Sequence, residues 1–253
     1  MVRKPLALAL WLALQIAGSA QAETTLVAVA ANFAGAADAL STAFHDETGH
    51  DAQITTGSTG KLYAQITEGA PFEVLLSADA KTPAKLEAGG QAVADSHFTY
   101  AVGGLTLWSA DAGLIGADPK ATLSDDKVRF LAIANPELAP YGVASREALT
   151  NLGLWDELQS KIVLGQNIGQ VFAMASAGAA DVAFVAQSAL DAPDAAMTGS
   201  RWDVPQYLFT PLRQDAVLLQ PGKENPAAIA FLDFLKGDKA KTIIKNFGYS
   251  LPE

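Results

Sequence analysis

The chain has 253 residues, of which 27 are acidic and 17 basic, giving a formal net charge of −10, and it contains no cysteine. The acidity argues against nucleic acid or an anionic membrane surface as a partner. The missing cysteines exclude disulfides, thiolate metal sites and cysteine catalysis. Half the residues are apolar and 17% are charged, a balance suited to a well-packed core, while the length fits one large domain or two small ones.

The chain opens with "MVRKPLALALWLALQIAGSAQAETT". Arg3 and Lys4 precede an apolar run from Leu6 to Ile16, and Ala20-Gln21-Ala22 supplies the small-x-small pattern of a signal peptidase site, so cleavage is expected after Ala22. The run is well short of the ~20 residues that span a bilayer. Cleavage would remove two cations and no carboxylate, leaving the exported chain more acidic still. With no cysteine to carry a lipid, the expectation is a free periplasmic protein.

Short apolar runs then alternate with helical patterns. "TTLVAVAA" reads as a buried strand, and Phe33, Ala36, Ala37, Leu40 and Phe44 recur at helical spacing up to Thr48-Gly49. "DAQITT" is a second strand, followed by a helix from about Gly60 to Glu68. "FEVLLSA" is a third, followed by "DAKTPAKLEAGG". The order βαβαβα implies a parallel sheet covered by helices. The alternation resumes with "KVRFLAIA", a helix after Tyr141, "KIVLG", a helix after Asn167, and "DVAFVAQ". "QDAVLLQ" is a late strand, and Asn225-Pro226 opens a helix with Pro at its favoured first position.

In such sheets ligands bind where strands hand over to helices. Four turns share one build: Ala31-Asn32, Ser58-Thr59-Gly60, Pro140-Tyr141-Gly142 and Asn167-Ile168-Gly169. Any one of them is explained as ordinary capping, since Asn, Ser and Thr are the usual caps. Four together point to an anion, because helix N-termini present unpaired N–H groups and the positive end of a dipole.

The second turn lies in "TTGSTGKLYAQ" and invites two sharper readings. A Walker A loop needs four residues between its first glycine and Gly-Lys, then Ser or Thr; only Ser58 and Thr59 separate Gly57 from Gly60, and Leu62 follows Lys61, so this reading fails. Ser58-Thr59-Gly60-Lys61 also fits the S-x-x-K of exported serine acyl-enzymes. The companion motifs are defective: Asp126 stands where Asn is wanted in Ser124-Asp125-Asp126, Pro83 replaces Gly after Lys81-Thr82, and their order is reversed. The three histidines, His45, His50 and His97, have no metal-ligand spacing. Trp108 and Trp155 read as packing residues.

The segments "VAVAANF", "TTGSTGKLYAQITEGAPFEVLLSAD", "IANPELAPYGVASREAL", "NIGQVFAMASAGAADVAFV" and "FLDFLKGDKAKTIIKNFGYSL" together resemble the molybdate-binding periplasmic proteins of ABC transporters, along nearly the whole exported chain. The resemblance implies an α/β type II solute-binding fold, two lobes each with a mainly parallel sheet flanked by helices, and an anion held in the cleft between them. It implies molybdate or tungstate as ligand, a permease as partner, a monomer, no cofactor and no catalysis. Family contacts fall on Ala31, Asn32, Ser58, Thr59, Tyr141 and the backbone N–H of Ile168. Asn32 is expected to donate through its side-chain amide. Some members carry a tyrosine where this chain has Ala186, and Tyr141 is expected to supply the missing hydroxyl. Sulfate, phosphate and ferric ion are the rival ligands; ferric ion usually wants paired tyrosines, and Tyr141 is alone among the turns. Chain crossings near Val102-Gly103-Gly104 and Gln214–Leu218 divide the protein into residues 23–102 with 215–253 and residues 103–214.

Overall fold

The computed structural model describes residues 22–193, 195 and 198–252; residues 1–21 of the expected signal peptide lie outside the described residues. The first lobe begins with β1 (Thr24–Ala30), a 3₁₀ turn over Ala31–Phe33, and α1 (Ala34–Thr48). Then come β2 (Asp51–Gly57), α2 (Thr59–Thr67), β3 (Val74–Ser77), α3 (Lys81–Ala88) and β4 (Phe98–Gly103). Val27, Ala28 and Val29 of β1 are fully buried, as a strand covered on both faces requires. Gly49 stops α1 in the left-handed conformation and donates to the His45 carbonyl, a glycine C-cap.

One residue past β4 the second lobe starts. It comprises β5 (Leu105–Ser109), α4 (Pro119–Ser124), β6 (Leu131–Ala134), α5 (Pro140–Asn151), β7 (Ile162–Gly165), α6 (Ile168–Ser176), β8 (Val182–Ala186), α7 (Gln187–Asp191) and β9 (Ser200–Asp203). The chain returns as β10 (Leu212–Leu218) and ends in α8 (Pro226–Lys236) and α9 (Asp238–Asn246). Asn225 caps α8 by accepting from the Ala227 N–H, with Pro226 at the first helical position, as the sequence indicates.

Two five-stranded sheets result, ordered β2-β1-β3-β10-β4 and β7-β6-β8-β5-β9. The three βα strands of each lobe run parallel. The sheets are nonetheless mixed, because β10 runs antiparallel to β3 and β4, and β5 antiparallel to β8 and β9. Periodicity over the βα units could not reveal these crossing strands. β10 joins the first sheet from Leu212, which pairs with Gly103, so its pairing begins ahead of the Gln214–Leu218 stretch. The second sheet packs around Leu107, Ile133, Leu149 and Phe184; the first has one core around Phe33, Leu40, Phe44 and Phe231 and another around Leu62, Leu75 and Leu86. The carboxyl ends of β1, β2, β6 and β7 all lead into the turns singled out above.

Candidate functional site

All six predicted contact residues line one small cavity where the lobes meet. Ala30, Ala31, Asn32, Gly57, Ser58, Thr59 and Ala78 come from the first lobe, and Ala139, Pro140, Tyr141, Asn167 and Ile168 from the second. The volume is ≈ 10 Å³, about what one water-sized group occupies by that measure.

Local sequence aims donors at it. Ser58 is the N-cap residue of α2 yet its side chain makes no capping bond, which leaves a buried hydroxyl available. Thr59 Oγ1 accepts from the Ala78 N–H at 3.1 Å, so its own proton is free to donate into the cavity. α5 starts at Pro140 with no side-chain cap, and Tyr141 is then the first residue of that helix with an N–H to offer. On α6, Asn167 Oδ1 accepts from the Gln170 N–H while Gln170 Oε1 accepts from the Gln166 N–H. That reciprocal arrangement fixes the helix start and leaves the Ile168 N–H without an intrahelical acceptor. Between β1 and α1 the expected helix start is instead a 3₁₀ turn, which presents the Ala31 and Asn32 backbone.

No charged side chain lines the cavity. A bound anion meets neutral donors and helix dipoles only, with neither a cation to neutralise nor a carboxylate to repel it. Tyr141 adds the most pointed feature. Its ring is fully buried, and its hydroxyl has no hydrogen-bond partner among the described residues. A buried unpaired hydroxyl costs ~1–3 kcal/mol; Thr25 and Tyr100 share this feature away from the cavity, and the side chains nearest the Tyr141 hydroxyl include Asn32 and Tyr249. The oxygen lies beside the chain crossing: a Cβ on Gly103 would stand 2.3 Å from it. Burial, with Tyr249 and Tyr100 nearby, pushes the Tyr141 hydroxyl well above its ordinary range, and burial raises Tyr249 to about 12. Both stay protonated donors at any physiological pH. Because the folded values are raised, the stability they contribute is intact below pH ~10 and is lost as pH climbs from there. Alkaline titration followed by circular dichroism should show stability flat from neutrality to about pH 10 and falling toward 12.

Asn32 departs from expectation. Its amide nitrogen donates to Gln214 Oε1 at 2.8 Å and Tyr249 Oη at 3.1 Å, so both amide protons are engaged inside the protein. What Asn32 can offer a ligand is its backbone N–H. Ala186 lines a different hollow, with Phe172 and Phe247, of ≈ 190 Å³. A third, of ≈ 400 Å³, is bordered by Asp79 and Glu147. Both are roomier than the donor-lined cavity; the one with Phe172 is mostly apolar and shares Ala31, Asn32 and Ile168 with it, and the other sets the carboxylates of Asp79 and Glu147 beside Lys81. Chemistry, not size, selects the site. Lys61 is exposed, and no hydrogen bond joins it to Ser58 among the described residues, so the S-x-x-K stretch lacks an assembled nucleophile and base.

Sequence reasoning missed Gln214, Tyr249 and Ser188, which stand behind Asn32. The available signal was a polar residue, Gln214, inside an otherwise apolar late strand.

Two helix-flanked sheets joined by crossing strands, with a donor-lined cavity at their junction, define a two-lobed ligand-binding protein. The model of the family "Bacterial extracellular solute-binding protein" matches residues 25–250, and the chain belongs to that family. It is 47% identical over 236 residues to the molybdate-binding protein ModA of Azotobacter vinelandii, covering 93% of each chain. To ModA of Rhodobacter capsulatus it is 45% identical over 243 residues, 96% of this chain and 94% of that one. The solved structure of the Azotobacter vinelandii periplasmic molybdate-binding protein superposes with a TM-score of 0.87 at 42% identity, covering 90% of this chain and all of the other.

Proposed function

We propose that this protein captures molybdate, or tungstate, in the periplasm and delivers it to the permease of an ABC-type importer. The observation that carries the reading is the cavity lined by neutral donors from both lobes, with Tyr141 among its lining residues. The identity of the anion is supported by the two relatives named molybdate-binding at 47% and 45% identity. The contacts are Ala31, Asn32, Ser58, Thr59, Tyr141 and Ile168, with Asn32 contributing its backbone. The protein binds without catalysis and needs no cofactor. It acts as a monomer, exported by cleavage after Ala22 and carrying no lipid anchor. Residues 23–102 with 215–253 close on residues 103–214 about the two crossings, and the permease reads the closed form.

Neutral donors suffice energetically. Hydrogen bonds to a charged group contribute ~1.5–3 kcal/mol each. About six outweigh an association cost of several kcal/mol and leave the ~8 kcal/mol of micromolar binding.

The test is thermal shift against equal concentrations of molybdate, tungstate, sulfate and phosphate. Sulfate carries molybdate's charge in a smaller tetrahedron, so fit alone separates them, and packed lobes hold the helix termini at a set spacing. Two donors left out of reach of sulfate mean a factor of roughly a hundred or more. Molybdate and tungstate should raise the melting temperature together, since ligand at 100 times its dissociation constant adds ~2.7 kcal/mol, while sulfate and phosphate add little. A sulfate shift equal to molybdate's would overturn the choice of anion.

Tyr141→Phe supplies a second check. Loss of the hydroxyl should weaken molybdate binding by about 1–3 kcal/mol. Because that hydroxyl has no hydrogen-bond partner among the described residues, the ligand-free protein should be as stable as wild type or slightly more so. Equal affinity by isothermal titration would mean the ring only walls the cavity.

A further inference from the structure

Ser188 is a buried residue of α7 in the second lobe, and its neighbours belong to the first. Its hydroxyl donates to the Asn32 carbonyl at 3.1 Å and accepts from Tyr249 Oη at 3.0 Å. Tyr249, beyond α9 in the first lobe, has one hydroxyl proton to share between the Asn32 carbonyl at 2.7 Å and Ser188 Oγ at 3.0 Å, and it accepts from the Asn32 amide. Phe33 braces the Tyr249 ring edge-on, with centroids 5.1 Å apart. Gln214, fully buried on β10, takes the other amide proton and is itself oriented by donating to the Leu212 carbonyl. Asn32 is thus held from three directions, by Tyr249 of the first lobe, by Ser188 of the second and by Gln214 on the strand where the chain crosses back.

This arrangement does two things at once. It fixes the 3₁₀ turn whose backbone N–H groups face the cavity, and it ties α7 of the second lobe to the first beside the crossing at Gly104, whose carbonyl accepts from the Gln187 N–H. Any movement of α7 away from Asn32 would strip a partner from both the Asn32 carbonyl and Tyr249. None of Ser188, Tyr249 and Gln214 lines the donor cavity, so they act through Asn32 and through closure.

We propose that Ser188 and Tyr249 form a latch between the lobes that holds the closed, anion-loaded state, with Ser188 the positioning residue contributed by the second lobe. The proposal rests on the oxyanion reading of the cavity. Closure follows capture, so the latch governs how fast the anion leaves and not how fast it arrives. It is also blind to the anion's identity, since it touches none of it.

The test is Ser188→Ala, with Tyr249→Phe as the companion and Ser188→Thr as the conservative rescue. Each is compared with wild type by isothermal titration and stopped-flow tryptophan fluorescence against molybdate, tungstate, sulfate and phosphate. Ser188→Ala should weaken every anion that binds by about the same factor, roughly three- to tenfold, the net value of one ordinary hydrogen bond. The loss should lie in the dissociation rate, with association and the ligand-free melting temperature unchanged. Tyr249→Phe should act in the same direction, the double variant should fall short of the product of the two losses, and Ser188→Thr should recover wild-type dissociation. A wild-type dissociation rate in both single variants overturns the latch, as does a loss that differs between anions. A wild type that binds sulfate but not molybdate overturns the molybdate reading alone, and the latch is then scored on sulfate. A wild type that binds none of the four overturns both.

Discussion

Replacing Gly142 with alanine should unseat α5 and weaken anion capture by two orders of magnitude or more. Gly142 follows Tyr141 in the first turn of α5, where the helix comes down on the end of β6. A Cβ there would stand 2.2 Å from the Ala134 carbonyl oxygen and 2.8 Å from the carbonyl carbons of Ala134 and Asn135. These are backbone atoms of a buried central strand and its exit, so no side-chain rotation relieves the overlap. Forced overpacking of this kind costs typically 1–3 kcal/mol and sometimes more. The helix is the element able to yield, and it carries the Tyr141 N–H and hydroxyl with it. Hydrogen bonds are useful only over a few tenths of an ångström around their ideal length. Losing two charge-assisted donors at ~1.5–3 kcal/mol each corresponds to roughly a hundredfold or more in dissociation constant. The melting temperature should also fall by several degrees, at ~2–4 °C per kcal/mol for a chain of this size. A Gly142→Ala protein that melts and binds molybdate like wild type would show that α5 does not meet β6 in this way.

How much of this was readable in advance depended on how far apart the interacting residues lie in sequence. The βα turns were legible because each is decided locally: Asn167 caps the helix it precedes, Pro140 stands at a first helical position, and Ser58 follows a strand that starts two residues after Gly49. The alternation that named the strands was equally local, since burial on both faces of β1 and β3 leaves unbroken apolar runs. The role of Asn32 was not legible, because its amide is claimed by Gln214 and Tyr249, 182 and 217 residues away. Nothing within the turn distinguishes an amide aimed at a ligand from one aimed at the crossing. β10 reads as any late apolar strand; that it runs antiparallel, inserted between β3 and β4, is a consequence of the chain's return. β4 and β5 hid for a related reason. The crossing was expected at Val102-Gly103-Gly104 but the strands on either side of it were not named; Gly103 closes β4, and Gly104 alone separates it from β5. The donor set came from local rules and the closure contacts from tertiary ones, and the same division sets apart the variants that alter binding directly from those that alter it through closure.

Gly60→Ala should separate those two effects by sign. Gly60 is in the first turn of α2, and its N–H donates to the Leu138 carbonyl across the lobe boundary at 2.9 Å. A Cβ on Gly60 would stand 2.9 Å from that oxygen and 3.3 Å from the Leu138 Cα. The contact exists only when the lobes are together. In an open cleft the methyl group would face solvent on a helical residue, where alanine is favoured over glycine by roughly 0.5–1 kcal/mol. The ligand-free protein should therefore be as stable as wild type or more so in urea. Closure would then drive the methyl against a backbone carbonyl, stretch the Gly60 N–H···O bond and hold α2 back from the anion. An overpacking cost of ~1–3 kcal/mol charged to the closed state alone weakens molybdate by roughly five- to 150-fold. Small-angle scattering should show a smaller fall in radius of gyration on adding molybdate than for wild type. A lone loss of stability, with affinity and closure intact, would mean that the Gly60–Leu138 approach belongs to folding and not to closing. Affinity lost together with raised ligand-free stability is the outcome expected only of a contact between lobes that move.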